Sequence, residues 1–203
     1  MNKNIYIIRH GQTDFNVKQI VQGRGVNSDL NEMGIAQAQS FFKMYQNIPF
    51  DTIITSSLKR THQTIAPFLA NNIPHLVRPE IDEIAWGIFE GVQHHPSLQE
   101  KYYSIIESWK NGELDNKIEG GESANELKIR LNPFIEEIKN IQSENTLICT
   151  HGRTLRMMMC LILNQPISVM DNFQHENTCL YQFEYKDSGF SLIKANDLAH
   201  LRG

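Results

Sequence analysis

Arg9-His10-Gly11 near the amino terminus and His151-Gly152 late in the chain present the same device twice: an apolar run, then an imidazole, then a glycine. An imidazole works as a nucleophile or acid–base group near neutral pH, and a guanidinium is a permanent fork for oxyanions. A glycine lets the backbone turn or approach a ligand closely. Arg60 stands at a third junction of this kind, one turn beyond Ser56-Ser57. A basic residue in the first turn of a helix opposes the macrodipole, which makes sense when a bound anion shares the site. Two neutral imidazoles and two arginine forks suit a phosphoryl group. The arginines bind its oxygens, and one unprotonated histidine attacks phosphorus in line.

Each of these groups follows a short run that reads as a buried strand: Asn4-Ile5-Tyr6-Ile7-Ile8, residues 51–55 and residues 145–150. Leu76-Val77 suggests another short strand, and residues 179–185 and 190–195 a late hairpin turning at Asp187 to Gly189. Between them lie helical patterns. One follows Asn31 and runs to about residue 47, with Ile35, Ala38, Phe41, Phe42 and Tyr45 in phase. A second covers about 58–70, with Ser56 and Ser57 as candidate caps. Others cover about 98–110, 122–141 and 153–163. Pro133 is expected to kink or interrupt the helix that contains it. The polar loop 12–30 is too long for a plain connection. The alternation predicts an α/β fold, a three-layer α/β/α sandwich whose mostly parallel central sheet carries helices on both faces. In such a sheet the carboxyl ends of the strands meet at one edge, where ligands bind.

The 203 residues suffice for a single domain, 1–203, with an inserted cap segment at about 92–121. A net charge of −4 gives no electrostatic footprint for nucleic acid, and no basic amphipathic stretch marks a membrane surface. The first apolar run is too short for a signal-peptide core, so a cytoplasmic location is expected. Cys149, Cys160 and Cys179 have no paired spacing and read as buried thiols.

Taken together, the sequence resembles the histidine phosphatase superfamily, also called the phosphoglycerate mutase-like family. The resemblance is carried by Arg9-His10-Gly11-Gln12-Thr13 with Asn16, Gln22-Gly23, Ser56-Ser57-Leu58-Lys59-Arg60-Thr61 with Gln63-Thr64, Glu83 with Gly87 and Phe89-Glu90-Gly91, Gly120-Gly121-Glu122-Ser123, and Thr150-His151-Gly152. It implies that His10 is transiently phosphorylated, that Arg9, Arg60 and His151 complete the phosphate pocket, and that Asn16, Gln22 and the backbone at Gly23 and Gly152 add phosphate contacts. Glu83 matches the family's proton donor, a role that needs a carboxyl group able both to give and to take a proton. Glu80 and Asp82 are its local rivals. The family mechanism implies no metal and no cofactor.

The chain departs from the family pattern in places. Gln12 stands where Glu is more usual, and Asn27 and Asp29 replace the usual Asp and Pro after the Gln-Gly pair. His62 occupies a usual Ala position and reads as a partly exposed helix residue. His94-His95 in the insertion are adjacent and poorly placed to share one metal ion. Mutases of the family carry Arg-His-Tyr-Gly after the acid and two arginines in the insertion. Here Glu83 precedes Ile84-Ala85-Trp86-Gly87, and no Arg occurs between Arg78 and Arg130. The expectation is therefore a metal-independent phosphomonoester hydrolase acting on a small-molecule phosphomonoester. Phosphoglycerate mutase-type transfer and a non-catalytic phosphate-binding module are the alternatives. The late hairpin offers a sheet edge on which a homodimer could form.

Overall fold

The computed structural model describes residues 2–93 and 96–202, with backbone alone for Pro96 and Ser97. The histidine pair of the insertion, His94-His95, lies outside the described residues. In chain order the elements are β1 (Lys3–Arg9), α1 (Asp14–Val17), α2 (Glu32–Tyr45), β2 (Thr52–Thr55), α3 (Lys59–Leu69), β3 (His75–Val77), α4 (Pro96–Lys110), α5 (Ala124–Asn140), β4 (Asn145–Thr150), α6 (Gly152–Ile162), β5 (Leu180–Lys186) and β6 (Gly189–Asp197), with 3₁₀ turns between them. The fold is the expected α/β type. One six-stranded sheet runs β3-β2-β4-β1-β5-β6, parallel from β3 to β1 and antiparallel from there to β6.

Strict alternation along β1 loads both faces of the sheet. Ile5 and Ile7 enter a large apolar cluster with Leu127, Leu131, Phe134 and Ile138 of α5 and Met157, Met158 and Met159 of α6. Tyr6 and Ile8 enter a second cluster with Phe41 and Tyr45 of α2 and Ile65 and Phe68 of α3. The parallel register sets Arg9 opposite Thr150 and Thr55 opposite Cys149. His10, His151 and Ser56 therefore leave the sheet at the same edge. The three cysteines are free and buried, as the sequence suggests.

Several local expectations are corrected. Pro133 does not break its helix: α5 runs unbroken from Ala124 to Asn140, started by a capping box between Ser123 and Glu126. Pro133 is exposed while Leu131, Phe134 and Ile135 are anchored in the core, and that packing outweighs the missing backbone donor. In α2, Ile35 is 53% exposed; the buried stripe is Gly34, Ala38, Phe41 and Tyr45. Ser56 and Ser57 do not occupy the cap position of α3, which is Leu58 and has no side-chain cap. Loop 12–30 contains the turn α1, closed by reciprocal Thr13 and Asn16 bonds.

The loop after β1 presses onto the start of α2 at Gly34. A Cβ there would stand 2.1 Å from the Gln12 carbonyl oxygen and 2.8 Å from its nitrogen, so only glycine fits. Gly34→Ala is expected to cost about 1–3 kcal/mol by overpacking and to lower activity by displacing the backbone that follows His10. Denaturant unfolding and a rate assay on the same preparation check both.

Candidate active site

At the sheet edge a cavity of about 440 Å³ is lined by Arg9, His10, Asn16, Gln22, Glu83 and Gly152, and farther out by residues of α4 and α6. His10 is 3% exposed. Its Nδ1 lies 2.7 Å from the Gly11 carbonyl oxygen. That oxygen can only accept, so Nδ1 carries the proton and Nε2 keeps its lone pair. Gly11 is held in turn by its N–H to Thr64 Oγ1 at 2.9 Å, and the His10 carbonyl accepts from Asn177 Nδ2 at 3.0 Å. Burial, reinforced by Arg60 and Arg9, pushes the His10 imidazole well below its ordinary range. The ring is neutral and nucleophilic.

His151 and Arg60, both fully buried, stand just behind the cavity wall. The two histidine rings are 5.2 Å apart. Arg60 donates from Nε to His151 Nδ1 at 3.1 Å, from Nη1 to the Val26 carbonyl at 2.7 Å and from Nη2 to the Gly23 carbonyl at 3.4 Å. A guanidinium only donates, so the His151 proton sits on Nε2, which donates to Ser56 Oγ at 2.7 Å. Burial first, then Arg60, also keeps His151 neutral. Burial lowers Arg60 itself to about 10, with Glu83 acting in the opposite sense.

Glu83 is 8% exposed and is seated on the amino end of α6. It accepts from Arg153 N at 3.2 Å, Thr154 N at 3.0 Å and Thr154 Oγ1 at 3.1 Å. A carboxyl group there complements the helix dipole. Its rivals are placed elsewhere. Asp82 is held by the Ser57 N–H and hydroxyl, and Glu80 does not line the cavity.

Arg9 donates from Nη1 to the His175 carbonyl at 2.6 Å. Its Nε is buried without a protein partner. Gly152 opens α6 at the cavity wall, and a Cβ there would meet the His175 ring at 2.6 Å. Asn16 and Gln22 both line the cavity while also bonding within their loop, Asn16 Oδ1 to Thr13 and Gln22 Nε2 to Thr13 Oγ1. Gly23 is not at the cavity; its carbonyl serves Arg60 instead. His62, part-buried, reaches the Ser56 carbonyl at 2.8 Å. Among the described residues no group of three or more His, Cys, Asp or Glu could hold a metal ion, and no helix is long and apolar enough to cross a membrane.

Apart from Trp86, which the sequence leaves open as either core packing or a substrate contact, the far wall is not singled out by the sequence. It contains Trp86, Tyr102, Arg153, Arg156, Asp171 and His175. One signal was available: Arg153 follows a strand-end glycine at the start of a helix, as Arg60 follows a strand end. Burial, with Arg9 and Arg156 adding to it, drives His175 down to about 2.

The sequence model of the histidine phosphatase superfamily, branch 1, matches residues 5–198. A Hydrogenobacter thermophilus protein named as a phosphoserine phosphatase is 28% identical over 98% of this chain and 98% of its own. The adenosylcobalamin/alpha-ribazole phosphatase of Salmonella typhimurium is 27% identical, covering 94% of each chain. Among solved structures, Bacillus stearothermophilus YhfR superposes with a TM-score of 0.87 at 23% identity, covering 98% of this chain and 100% of its own.

His10, His151 and His175 are all held below the ordinary histidine value of about 6.5. On unfolding they bind protons that the folded state excludes, so stability falls as pH drops below about 6.5. Thermal melts between pH 7 and 5 are expected to show this fall, and His175→Asn is expected to lose less over the same interval than the wild type.

Proposed function

The chain belongs to the histidine phosphatase superfamily, branch 1; on that premise we propose that it is a phosphoric monoester hydrolase, as the phosphatase names of its relatives suggest, and that it works through a phosphohistidine at His10, without a metal. His10 Nε2 attacks phosphorus, and the bond from phosphorus to the ester oxygen breaks. Glu83 gives its proton to the departing oxygen. A water then attacks the phosphohistidine, Glu83 takes its proton, and the phosphorus–nitrogen bond breaks to restore His10. The observation that carries this reading is the meeting in one cavity of a neutral His10 with its Nδ1 tied to Gly11, Arg9, whose buried Nε has no protein partner, and Glu83 on the amino end of α6.

In this scheme the phosphoryl oxygens face Arg9 and the positive end of α6 at Gly152, with Asn16 and Gln22 at the rim. Arg60 acts from behind: it supplies positive charge and fixes the tautomer of His151. The segment 92–121 serves as a cap. Its Tyr102, Tyr103, Ile106 and Lys110 line the outer cavity, which positions them to exclude water once a substrate is bound.

Rapid quenching of the enzyme with substrate is expected to trap acid-labile phosphate on the wild type and none on His10→Asn, which loses turnover. Glu83→Gln is expected to lower kcat by about 10²–10⁴. Phosphate release should persist in excess chelator. Full activity of His10→Asn would defeat the scheme.

A further inference from the structure

The far wall of the cavity holds more positive charge than its own carboxylate can balance. Arg153 and Arg156 share a single oxygen of Asp171, at 2.6 and 2.7 Å. The Arg153 side chain is only 7% exposed, and its guanidinium carbon lies 6.0 Å from the Trp86 ring and 5.9 Å from the Trp109 ring. Two guanidiniums around one carboxylate leave a charge over, in a setting where uncompensated charge is costly. Among the described residues, the charged side chain that segment 92–121 adds to the cavity lining is Lys110, which is paired with Glu107 at 3.3 Å. His175 beside them is kept neutral by burial first, and then by Arg9, Arg156 and Arg153.

Resting on the hydrolase reading above, we infer that this wall is an anion subsite, with Arg153 as its specificity-determining residue, and that it selects phosphomonoesters whose alcohol portion carries a carboxylate. Arg153 uses two of its five N–H groups, on Asp171 and on Tyr102 Oη at 3.3 Å. The remaining ones suit a planar oxyanion. The single excess charge matches a carboxylate. The same residue's backbone N–H holds Glu83, so a leaving group anchored on Arg153 lies beside the acid that must protonate its ester oxygen. Cation–π contact with the two tryptophans and the Asp171 bond hold the guanidinium in place before the substrate arrives.

The test compares substrates that differ by the carboxylate: O-phosphoserine against O-phosphoethanolamine, and 3-phosphoglycerate against glycerol 3-phosphate, with p-nitrophenyl phosphate as reference. Release of inorganic phosphate is measured. In the wild type, kcat/KM is expected to favour the carboxylate member of at least one pair by about tenfold or more. Arg153→Gln is expected to bring that ratio close to one, and Arg153→Lys to leave it intermediate. The ratio is taken on one preparation, so partial misfolding cancels. A wild-type ratio near one in both pairs, or an undiminished ratio in Arg153→Gln, overturns the inference. So does hydrolysis of p-nitrophenyl phosphate with neither carboxylate substrate turned over. If p-nitrophenyl phosphate is not hydrolysed either, the hydrolase reading fails, and the inference falls with it.

Discussion

Arg60 is a fully buried guanidinium, and burying such a charge is tolerable only when its donors are placed. They reach the second imidazole through His151 Nδ1 and the loop after β1 through the carbonyls of Val26 and Gly23. That one side chain therefore ties the start of α3, the end of β4 and the long loop into a single unit. It also sets which nitrogen of His151 bears the proton, and with burial it keeps both histidines neutral. A deprotonated nucleophile beside a concentrated positive field is the condition that attack on an anionic phosphoryl group requires.

Glu83 is positioned by a different route. The strand end at Thr150 and the first turn of α6 grip the segment before Ile84 through its backbone: Thr150 Oγ1 to the Ile81 carbonyl and Thr154 Oγ1 to the Asp82 carbonyl, both at 2.8 Å. Arg130 adds a third bond to the Asp82 carbonyl at 3.1 Å. Glu83 is thus aimed by three elements. The same helix start offers its N–H groups to the Glu83 carboxyl and sends the Arg153 side chain to the far wall. One helix terminus therefore serves both Glu83 and the far wall.

Rigidity at this edge comes from the core beneath it. The strand carrying His10 is packed on both faces, and residues 145–150 beside it are almost wholly buried. Residues 98–121 insert Ile106, Trp109 and Ile118 into the large apolar cluster and leave Tyr103 58% exposed at the cavity mouth. A rigidly held His10 under an outer wall of mixed character is a division that lets specificity vary while the sheet edge stays constant.

The α/β class, the strands, and the residues that end them were legible from periodicity and from abrupt changes of polarity, because buried strands demand unbroken apolar runs whatever lies around them. His10, His151, Arg60 and Glu83 stand out in the sequence because each lies at such a break or in a family motif. The sequence could not place Ser57 on Asp82, keep α5 whole through Pro133, or expose Ile35, since each depends on what packs against it. Nor could it reveal the far wall. Arg153 looks like an ordinary helix start, and Asp171 and His175 lie in a stretch with no periodic signal. Only tertiary folding brings Asp171 between two guanidiniums against stacked tryptophans, because charge balance is a property of distances in space and not of spacing along the chain.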